Sequence, residues 1–304
     1  MIIYVTEAKE IEQDALDLLT QAGHELIVEE AKALARTQEV EALFIRTYTQ
    51  ATKEYLAAYP NLKFVLRAGV GLDNVDRGEC ERRGIKVINA PGANANAVAE
   101  YVVGAIIVSI RQFAAQEASL HKGEWRTPAH MGLELKGRTL GLVGCGNVGR
   151  AIAHKLSSWE LKEVIGYDPF LTQEQMAASG IRKCELDEVI AGADILSLHV
   201  PLIPETKHLI NTEKLSRMKQ GALLINAARG GVVDEAALTE ALTSGHIMGA
   251  VLDVLETEPN VAPELAQAPN LILTPHIAGY THEANKEVSL APARELLRQL
   301  TQTS

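Results

Sequence analysis

The chain has 304 residues, 47% of them hydrophobic and 22% charged, an ordinary composition for a soluble globular protein with room for two domains. A formal charge of −10 at pH 7 argues against nucleic acid as a partner, so any anionic ligand must be held by local cations or backbone N–H groups. The three cysteines, Cys80, Cys145 and Cys184, form no CxxC pair, which indicates neither a disulfide framework nor a zinc site and favours a cytoplasmic location.

The first part of the chain alternates short apolar runs with helical patterns. Strands are predicted at 2–5, 25–28, 42–45, 64–66 and 86–88, and helices at 10–21 and 52–59. Strands that alternate with helices indicate a parallel sheet, so these residues are expected to form a first α/β unit. The run 1–5 lacks a preceding basic segment and is too short for a signal peptide.

A long helical pattern at 93–121 is expected to carry the chain from this unit into a second domain. Its longest apolar stretch, 98–110, contains Glu100 and is therefore expected to be a buried helix and not a membrane span. Residues 125–135 are expected to form a loop or a projecting segment. The segment and the apolar helix together favour a homodimer or a higher homo-oligomer.

From Arg138 the alternation of strands and helices starts again. Strand candidates lie at 139–143, 164–167, 195–198, 222–225, 248–252 and 271–273. Six strands make two mononucleotide-binding halves, and therefore a complete Rossmann domain. A helical pattern at 281–300 is expected to return to the first domain.

Three glycines between the strand 139–143 and a helical pattern form the sequence Gly-x-Gly-x-x-Gly. Gly144 permits a tight turn, Gly146 lets a pyrophosphate approach the backbone, and Gly149 lets the helix pack closely on the strand. Asp168 ends the next strand, about 20 residues further on, where a carboxylate binds the ribose hydroxyls of NAD and would repel the 2′-phosphate of NADP. The pattern predicts NAD as the cofactor.

The two sets of elements predict an α/β fold with two Rossmann-like, doubly wound parallel-sheet domains. An NAD-binding domain at 94–280 is expected to be inserted in a flavodoxin-like substrate domain made of 1–93 and 281–304. Ligands in such folds lie beyond the carboxyl ends of the strands, so the polar residues at those ends are the candidates for chemistry.

Two of these residues are suited to catalysis. Arg229 follows a strand and is flanked by small residues, so its planar guanidinium can bind a carboxylate; a surface arginine on a turn is the alternative. His276 follows the last strand and is suited to proton transfer near neutral pH, although a lone histidine is more often structural. Asp253 or Glu258 is expected beside it, where a carboxylate raises the pKa of the ring; the spacing alone does not show which.

The ordered set of motifs resembles the D-isomer-specific 2-hydroxyacid dehydrogenases over nearly the whole chain. The matching segments are 144–149 with 168, 199–202 with 205–206, 226–235, 253–255 with 258–259, and 275–279. The resemblance implies that Arg229 binds the substrate carboxylate and polarises the carbonyl, that His276 is the acid/base, and that Glu258 pairs with His276. It implies that Asp253 contacts the nicotinamide amide. The cofactor residues implied are Gly144, Gly146, Asn147, Val148, Gly149, Asp168, Val200, Pro201, Thr206, Ala227, Asp253, His276 and Gly279.

Within that family, residues 67–76, the segment 125–135 and Arg46 most resemble the phosphoglycerate dehydrogenase branch. This resemblance implies that Gly69, Val70 and Gly71 bind the substrate, and that the backbone N–H groups around Val70 and Gly71 hold its carboxylate, as backbone nests do. It also implies that Arg46 and Arg67 contact a phosphate, with surface salt bridges as the alternative for both. Two features depart from the branch: the chain ends at 304, so C-terminal regulatory domains are not expected, and 279–282 lacks the usual small residues.

The sequence therefore predicts an NAD-dependent enzyme that interconverts a D-2-hydroxy acid and its 2-oxo acid. The first candidate substrate is D-3-phosphoglycerate, oxidised to 3-phosphohydroxypyruvate as in serine biosynthesis. The second candidate has the same chemistry and is a reductase of hydroxypyruvate, glyoxylate or another 2-oxo acid. The third belongs to another class, an NAD-sensing scaffold, against which the intact set Arg229, Glu258 and His276 counts. No metal, nucleic acid or membrane partner is expected.

Overall fold

The computed structural model describes residues 1–126 and 128–303, except for the side chain of residue 303. The chain divides into two compact units. The first consists of Met1–Asn94 together with the chain from Tyr280 onward, and the second of Ala95–Gly279.

The first unit contains a five-stranded parallel sheet in the order β2-β1-β3-β4-β5, the flavodoxin-like order, which confirms the predicted fold class. Its strands are β1 (Ile2–Val5), β2 (Glu25–Ile27), β3 (Val40–Ile45), β4 (Phe64–Arg67) and β5 (Lys86–Ile88). Its helices are α1 (Gln13–Gln21), α2 (Glu30–Ala35), α3 (Lys53–Ala57), α4 (Arg77–Arg82) and α13 (His282–Thr303).

Both faces of this sheet are buried. Alternate side chains of a strand point to opposite faces, so Phe44 packs with Leu19 and Leu296 on one side and Leu43 packs with Leu56 on the other. A sheet that is buried on both faces needs mostly apolar strands, and for this reason the strands were visible in the sequence as predominantly apolar runs.

The second unit contains a seven-stranded parallel sheet in the order β12-β11-β10-β9-β6-β7-β8. Its strands are β6 (Thr139–Val143), β7 (Glu163–Tyr167), β8 (Arg182–Lys183), β9 (Ile195–Leu198), β10 (Leu223–Asn226), β11 (Gly249–Leu252) and β12 (Leu271–Leu273). Its helices are α5 (Ala95–Ile110), α6 (Phe113–His121), α7 (Asn147–Lys155), α8 (Gln173–Ala177), α9 (Leu186–Gly192), α10 (Thr212–Arg217), α11 (Glu235–Thr243) and α12 (Pro263–Ala266). The prediction of six strands was wrong by one, because β8 is a two-residue edge strand of charged residues with no apolar run.

The prediction of one long helix at 93–121 was also wrong. The pattern is split into α5 and α6, and Gln112 between them has a left-handed backbone with φ 52°. Among the described residues, no helix alone is long and apolar enough to span a membrane, and the bent pair α5–α6 passes that test by length and composition only. The segment that follows contains a short 3-10 turn, Pro128–His130, and the exposed side chains of Trp125 and Met131. The prediction for 125–135 includes residue 127, which lies outside the described residues.

Candidate active site

The glycine motif joins β6 to α7 in a turn that leaves one side open. Gly144 has φ +91°, and a Cβ there would lie 2.4 Å from the carbonyl oxygen of His199, so only glycine fits. A Cβ on Gly149 would lie 2.6 Å from the carbonyl oxygen of Gly144, because α7 packs closely on the turn. At Gly146, in contrast, a Cβ would meet no atom within 4 Å. This open space at the start of α7, where Asn147 begins the helix, fits a pyrophosphate.

Asp168 follows β7 and is tied to the same turn. Its carboxylate accepts hydrogen bonds from the backbone N–H of Cys145 at 3.0 Å and of Phe170 at 2.9 Å. Each carboxylate oxygen can accept a second bond, which leaves acceptors for ribose hydroxyls. Burial, and then the Asp168 charge, raise the pKa of the Cys145 thiol to about 12, so this thiol stays protonated and unreactive.

The segment after β9 borders the glycine turn. The backbone N–H of His199 donates to the carbonyl oxygen of Val143 at 2.7 Å, and Val200 lies next to Gly144. The hydroxyl of Thr206 donates to the carbonyl oxygen of Pro201 at 2.6 Å and closes the loop that follows. Three of the predicted cofactor residues, Val200, Pro201 and Thr206, therefore lie in one segment that starts at the glycine turn.

His199 adds a feature to this segment that the sequence did not indicate. Its Nε2 lies 2.8 Å from the hydroxyl of Ser197. Burial lowers the pKa of His199 to about 3, so the ring is neutral and does not supply a cation for a phosphate.

Arg229 lies on a turn that a buried side chain holds in place. Asn226 ends β10 and is 1% exposed; its amide donates to the carbonyl oxygen of Arg229 at 2.9 Å and accepts from the N–H of Ala228 at 3.1 Å. The Arg229 guanidinium donates to the carbonyl oxygen of Ala228 at 2.7 Å. No role was predicted for Asn226 from the sequence, although a polar residue at the end of an apolar strand indicates a structural or functional contact. Ala227 is partly buried in the same turn.

Asp253 anchors the turn that carries His276. Its carboxylate is 1% exposed and accepts from the Thr274 hydroxyl at 2.6 Å and from the N–H groups of Ile277 and Ala278, both at 2.8 Å. Its carbonyl oxygen accepts from the N–H of His276 at 2.8 Å. These bonds give Asp253 a structural function, and its predicted contact with the nicotinamide amide stays a prediction. Gly279, another predicted cofactor residue, follows this turn directly and is partly buried.

Glu258, and not the carboxylate of Asp253, pairs with the ring of His276. Nδ1 of His276 lies 2.9 Å from Oε2 of Glu258, and the other carboxylate oxygen accepts from the N–H of Leu255 at 3.1 Å. A carboxylate only accepts hydrogen bonds, so Nδ1 carries the hydrogen and Nε2 is directed to other partners. His276 has a left-handed backbone, with φ 57°, and 52% of its side chain is exposed.

Arg229, Asp253 and His276 follow three neighbouring strands. β10, β11 and β12 are adjacent and parallel, so their carboxyl ends lie at one edge of the sheet. A guanidinium and a histidine–carboxylate pair at one sheet edge can bind an anion and move a proton.

In the first unit, Arg46 lies in a segment that a carboxylate organises. Glu7 accepts hydrogen bonds from the backbone N–H groups of 46–49 at 2.8–3.2 Å. Burial alone would raise the pKa of Glu7, but these hydrogen bonds outweigh it and lower the pKa. The Arg46 guanidinium donates to the carbonyl oxygen of Glu10 and to the side chain of Asn285. Arg46 is therefore fixed within its unit rather than mobile on the surface.

Arg67 ends β4 and folds back over the residues that follow. Its guanidinium donates to the carbonyl oxygen of Ala68 at 2.8 Å, and a Cβ on Gly69 would lie only 1.2 Å from a guanidinium nitrogen. Gly69 also has φ +156°, a conformation that other residues rarely adopt. Among residues 1–126 and 128–303, no protein group accepts a hydrogen bond from the N–H of Val70 or Gly71. These two groups are therefore suited to bind an anion.

Comparisons with known proteins agree with this geometry. The model of the D-isomer specific 2-hydroxyacid dehydrogenase NAD-binding domain matches residues 103–278. A D-3-phosphoglycerate dehydrogenase from Mycobacterium tuberculosis is 42% identical over 253 residues, which cover 83% of this chain and 48% of the relative. A hydroxypyruvate reductase from Thermotoga maritima is 39% identical over 265 residues, which cover 86% of this chain and 85% of the relative. The crystal structure of a D-lactate dehydrogenase from Aquifex aeolicus, complexed with NAD and lactic acid, matches with a TM-score of 0.83 at 27% identity and covers 99% of this chain and 96% of that chain.

This chain belongs to the D-isomer-specific 2-hydroxyacid dehydrogenase family, as its sequence predicted. Its second unit contains the NAD-binding domain of the family, and NAD is its cofactor. The chain spans about half the length of curated phosphoglycerate dehydrogenases that it matches. The described residues contain no cluster of His, Cys, Asp and Glu that could hold a metal ion.

Replacing Asp168 with alanine is expected to weaken NADH binding about 10- to 150-fold and to reduce the preference for NADH over NADPH. The carboxylate is expected to accept from ribose hydroxyls, and hydrogen bonds to charged groups are worth about 1.5–3 kcal/mol. Titration of both nucleotides by fluorescence measures the two Kd values. Glu264→Gln, an exposed acid on α12, is the matched control. An unchanged Kd for NADH in Asp168→Ala would contradict the ribose contact.

Proposed function

We propose that this chain is an NAD-dependent oxidoreductase that interconverts a D-2-hydroxy acid and the corresponding 2-oxo acid. The observation that carries the proposal is the 2.9 Å hydrogen bond between Nδ1 of His276 and Glu258, in the unit that contains the NAD-binding domain. This pair orients the ring and stabilises its protonated form, as a general acid/base requires.

The proposed mechanism assigns one task to each side chain. NAD, when bound, supplies the acceptor for the electron pair of the substrate C–H bond. In the oxidation direction Nε2 of His276 accepts the hydroxyl proton, and Glu258 stabilises the imidazolium that results. In the reduction direction the same ring donates that proton to the carbonyl oxygen. The Arg229 guanidinium binds the substrate carboxylate and polarises the carbonyl, so negative charge develops next to a fixed cation.

The proposed cofactor contacts follow the open side of the glycine turn. The backbone at Gly146 and the first turn of α7, which contains Asn147 and Val148, would hold the pyrophosphate, and Asp168 would hold the ribose. The remaining predicted contacts are Val200, Pro201, Thr206, Ala227, Asp253, His276 and Gly279.

For the substrate, we propose D-3-phosphoglycerate as the first candidate, which would place the enzyme in serine biosynthesis. In the first unit, the N–H groups of Val70 and Gly71 would bind a carboxylate, and Arg46 and Arg67 would contact the phosphate. Arg46 uses two of its five N–H donors on protein acceptors, which fixes its guanidinium and leaves donors for a phosphate oxygen. The sequence identity to phosphoglycerate dehydrogenases supports this candidate.

A second candidate is a reductase of hydroxypyruvate, glyoxylate or a related 2-oxo acid. It is supported by the hydroxypyruvate reductase relative, which is matched over 85% of its own length. The chemistry at His276 is the same in both candidates, so only the groups that meet a phosphate distinguish them.

We further propose a homodimer in the cytoplasm. Four large apolar side chains are exposed on α6 and the segment after it, which is unusual for a surface that stays in water. They are Phe113, Leu120, Trp125 and Met131. The cytoplasmic location is supported by the three cysteines, which are buried as free thiols.

The test of the function is NADH formation at alkaline pH with a carbonyl trap, which pulls an unfavourable equilibrium forward. D-3-phosphoglycerate, D-glycerate and D-lactate are supplied in parallel, and hydroxypyruvate and glyoxylate are tested with NADH in the reverse direction. Turnover restricted to the phosphorylated acid supports the first candidate, and turnover of unphosphorylated acids alone supports the second. No turnover of any of these acids would reopen both the list of substrates and the NAD-sensing scaffold.

A further inference from the structure

Two glutamates join the loops that carry the proposed catalytic side chains. The first loop runs from Arg229 to the start of α11, and the second from the end of β11 to Glu258. The backbone N–H of Glu235 on the first loop donates to the carboxylate of Glu256 on the second at 3.1 Å. The backbone N–H of Glu256 donates in return to the carboxylate of Glu235 at 2.6 Å. Each carboxylate therefore binds the main chain of the opposite loop.

A histidine completes this link. Nε2 of His208 lies 3.1 Å from the carboxylate of Glu256, and the backbone N–H of His208 donates to the carbonyl oxygen of Gly231 at 2.7 Å. His208 thus contacts both loops as well. We call His208, Glu235 and Glu256 the loop clamp.

The two loops are also in van der Waals contact next to Arg229, where Gly230 packs against Leu255. A Cβ on Gly230 would lie 1.7 Å from the carbonyl oxygen of Leu255, so the loops are in direct contact there. The N–H of Leu255 donates to Glu258, and the other carboxylate oxygen of Glu258 holds His276. Direct contacts therefore run from the Arg229 turn to the His276 ring.

The clamp brings two carboxylates together, and the repulsion between their charges opposes the contact between the two loops. Burial is the largest cause that raises the pKa of Glu235, and the charge of Glu256 raises it further, while the hydrogen bond from the Glu256 N–H and the charge of His208 partly offset the rise. A neutral side chain could satisfy the same two N–H groups without this repulsion. The two hydrogen bonds run in opposite directions between the loops, and together they fix the register of one loop relative to the other.

We propose that His208, Glu235 and Glu256 are positioning residues that set the register of Arg229 relative to the Glu258–His276 pair. The inference rests on the proposed roles of Arg229 and His276. None of the three clamp residues is among the proposed substrate or NAD contacts, so the clamp would act on the reaction only through the two loops. A displacement of catalytic groups by about 1 Å lowers turnover on the order of 10²-fold, while binding elsewhere is unaffected.

The test compares Glu256→Ala with Glu256→Gln, whose amide oxygen still accepts from the N–H of Glu235. Glu256→Ala is expected to lower kcat about 10- to 100-fold and to leave the Kd for NADH within about twofold. Glu256→Gln should recover most of the loss. The double variant Glu235→Ala/Glu256→Ala should cost less than the sum of the single variants, because both break one link. Glu240→Ala, an exposed acid on α11, is the matched control.

A wild-type kcat in Glu256→Ala would overturn the proposal, and so would equal losses of kcat, NADH affinity and thermal stability. A readout independent of turnover is the pair of ¹⁵N shifts of the His276 ring. These shifts should move in Glu256→Ala, return toward wild type in Glu256→Gln and stay unchanged in Glu240→Ala. If the wild type oxidises no 2-hydroxy acid, the proposed function fails, while the ¹⁵N shifts still decide whether the clamp holds the His276–Glu258 pair.

Discussion

Replacing His276 with alanine is expected to lower kcat for the preferred 2-hydroxy acid about 10²- to 10⁴-fold. The alanine variant keeps the cofactor turn and the Arg229 loop but has no group at Nε2 that can accept or donate the substrate proton. Because the main loss lies in the chemical step, and His276 is one of many proposed cofactor contacts, the Kd for NADH should change far less than kcat. Steady-state kinetics in both directions and fluorescence titration of NADH measure these two effects.

A variant of Glu258, the partner of His276, is expected to lose less kcat than His276→Ala. Glu258→Gln keeps an oxygen that can accept from Nδ1 but removes the charge that stabilises the imidazolium, so a smaller loss is expected, on the order of 10- to 100-fold. His154→Ala, at an exposed position on α7, is the control for loss of a histidine. If His276→Ala turned over at the wild-type rate, the acid/base would have to be another of the nine histidines or no histidine at all.

The sequence revealed the strands of both sheets except β8, because each of them is a mostly apolar run. The runs at 2–5, 86–88, 139–143, 195–198 and 271–273 agree with the strands residue for residue. The edge strand β8 was missed because its residues, Arg182 and Lys183, are charged and carry no apolar signal. The break between α5 and α6 was missed because it depends on the backbone of Gln112, which no local glycine or proline marks.

The candidate site was visible as a set of strand-end residues but not as a set of contacts. On spacing alone, Glu258 and Asp253 were both candidates for the partner of His276, because spacing does not say which side chain of a loop returns to the sheet edge; only the family resemblance favoured Glu258. The structure separates them: the carboxylate of Asp253 holds the backbone of the turn, and that of Glu258 holds the ring. Asn226 shows the same limit, since its function consists of bonds to residues two and three positions further on.

Contacts between a carboxylate and residues far away in the sequence were the hardest features to predict. Glu7 meets the backbone of 46–49 only because β1 and β3 are neighbours in the sheet, and Glu235 meets Glu256 only because their loops follow the neighbouring strands β10 and β11. Neither contact has a local sequence pattern. Both arise from strand order, so the sheet topology must be known before the charges around Arg46 and Arg229 can be assigned.

Two neighbouring glycines of the cofactor turn are expected to respond to alanine in opposite ways. Gly144→Ala should destabilise the protein without ligand by about 2–5 kcal/mol, because the new Cβ meets the carbonyl oxygen of His199 at 2.4 Å in a left-handed backbone. For a unit of this size the loss corresponds to roughly 5–15 °C in Tm. Gly146→Ala should leave this Tm within about 2 °C, because its Cβ meets no protein atom within 4 Å.

Binding of NADH then separates the two positions a second time. The Cβ of Gly146→Ala fills the space through which a pyrophosphate reaches the backbone, so the Kd for NADH should rise at least about 10-fold in a normally folded protein. Thermal unfolding with and without NADH measures both effects in one experiment, because a ligand that binds only the folded state raises the Tm. Gly146→Ala should lose most of the NADH-induced rise while keeping the ligand-free Tm. A full rise in Gly146→Ala would mean that the pyrophosphate does not lie against this turn, and the open side of the glycine motif would need another explanation.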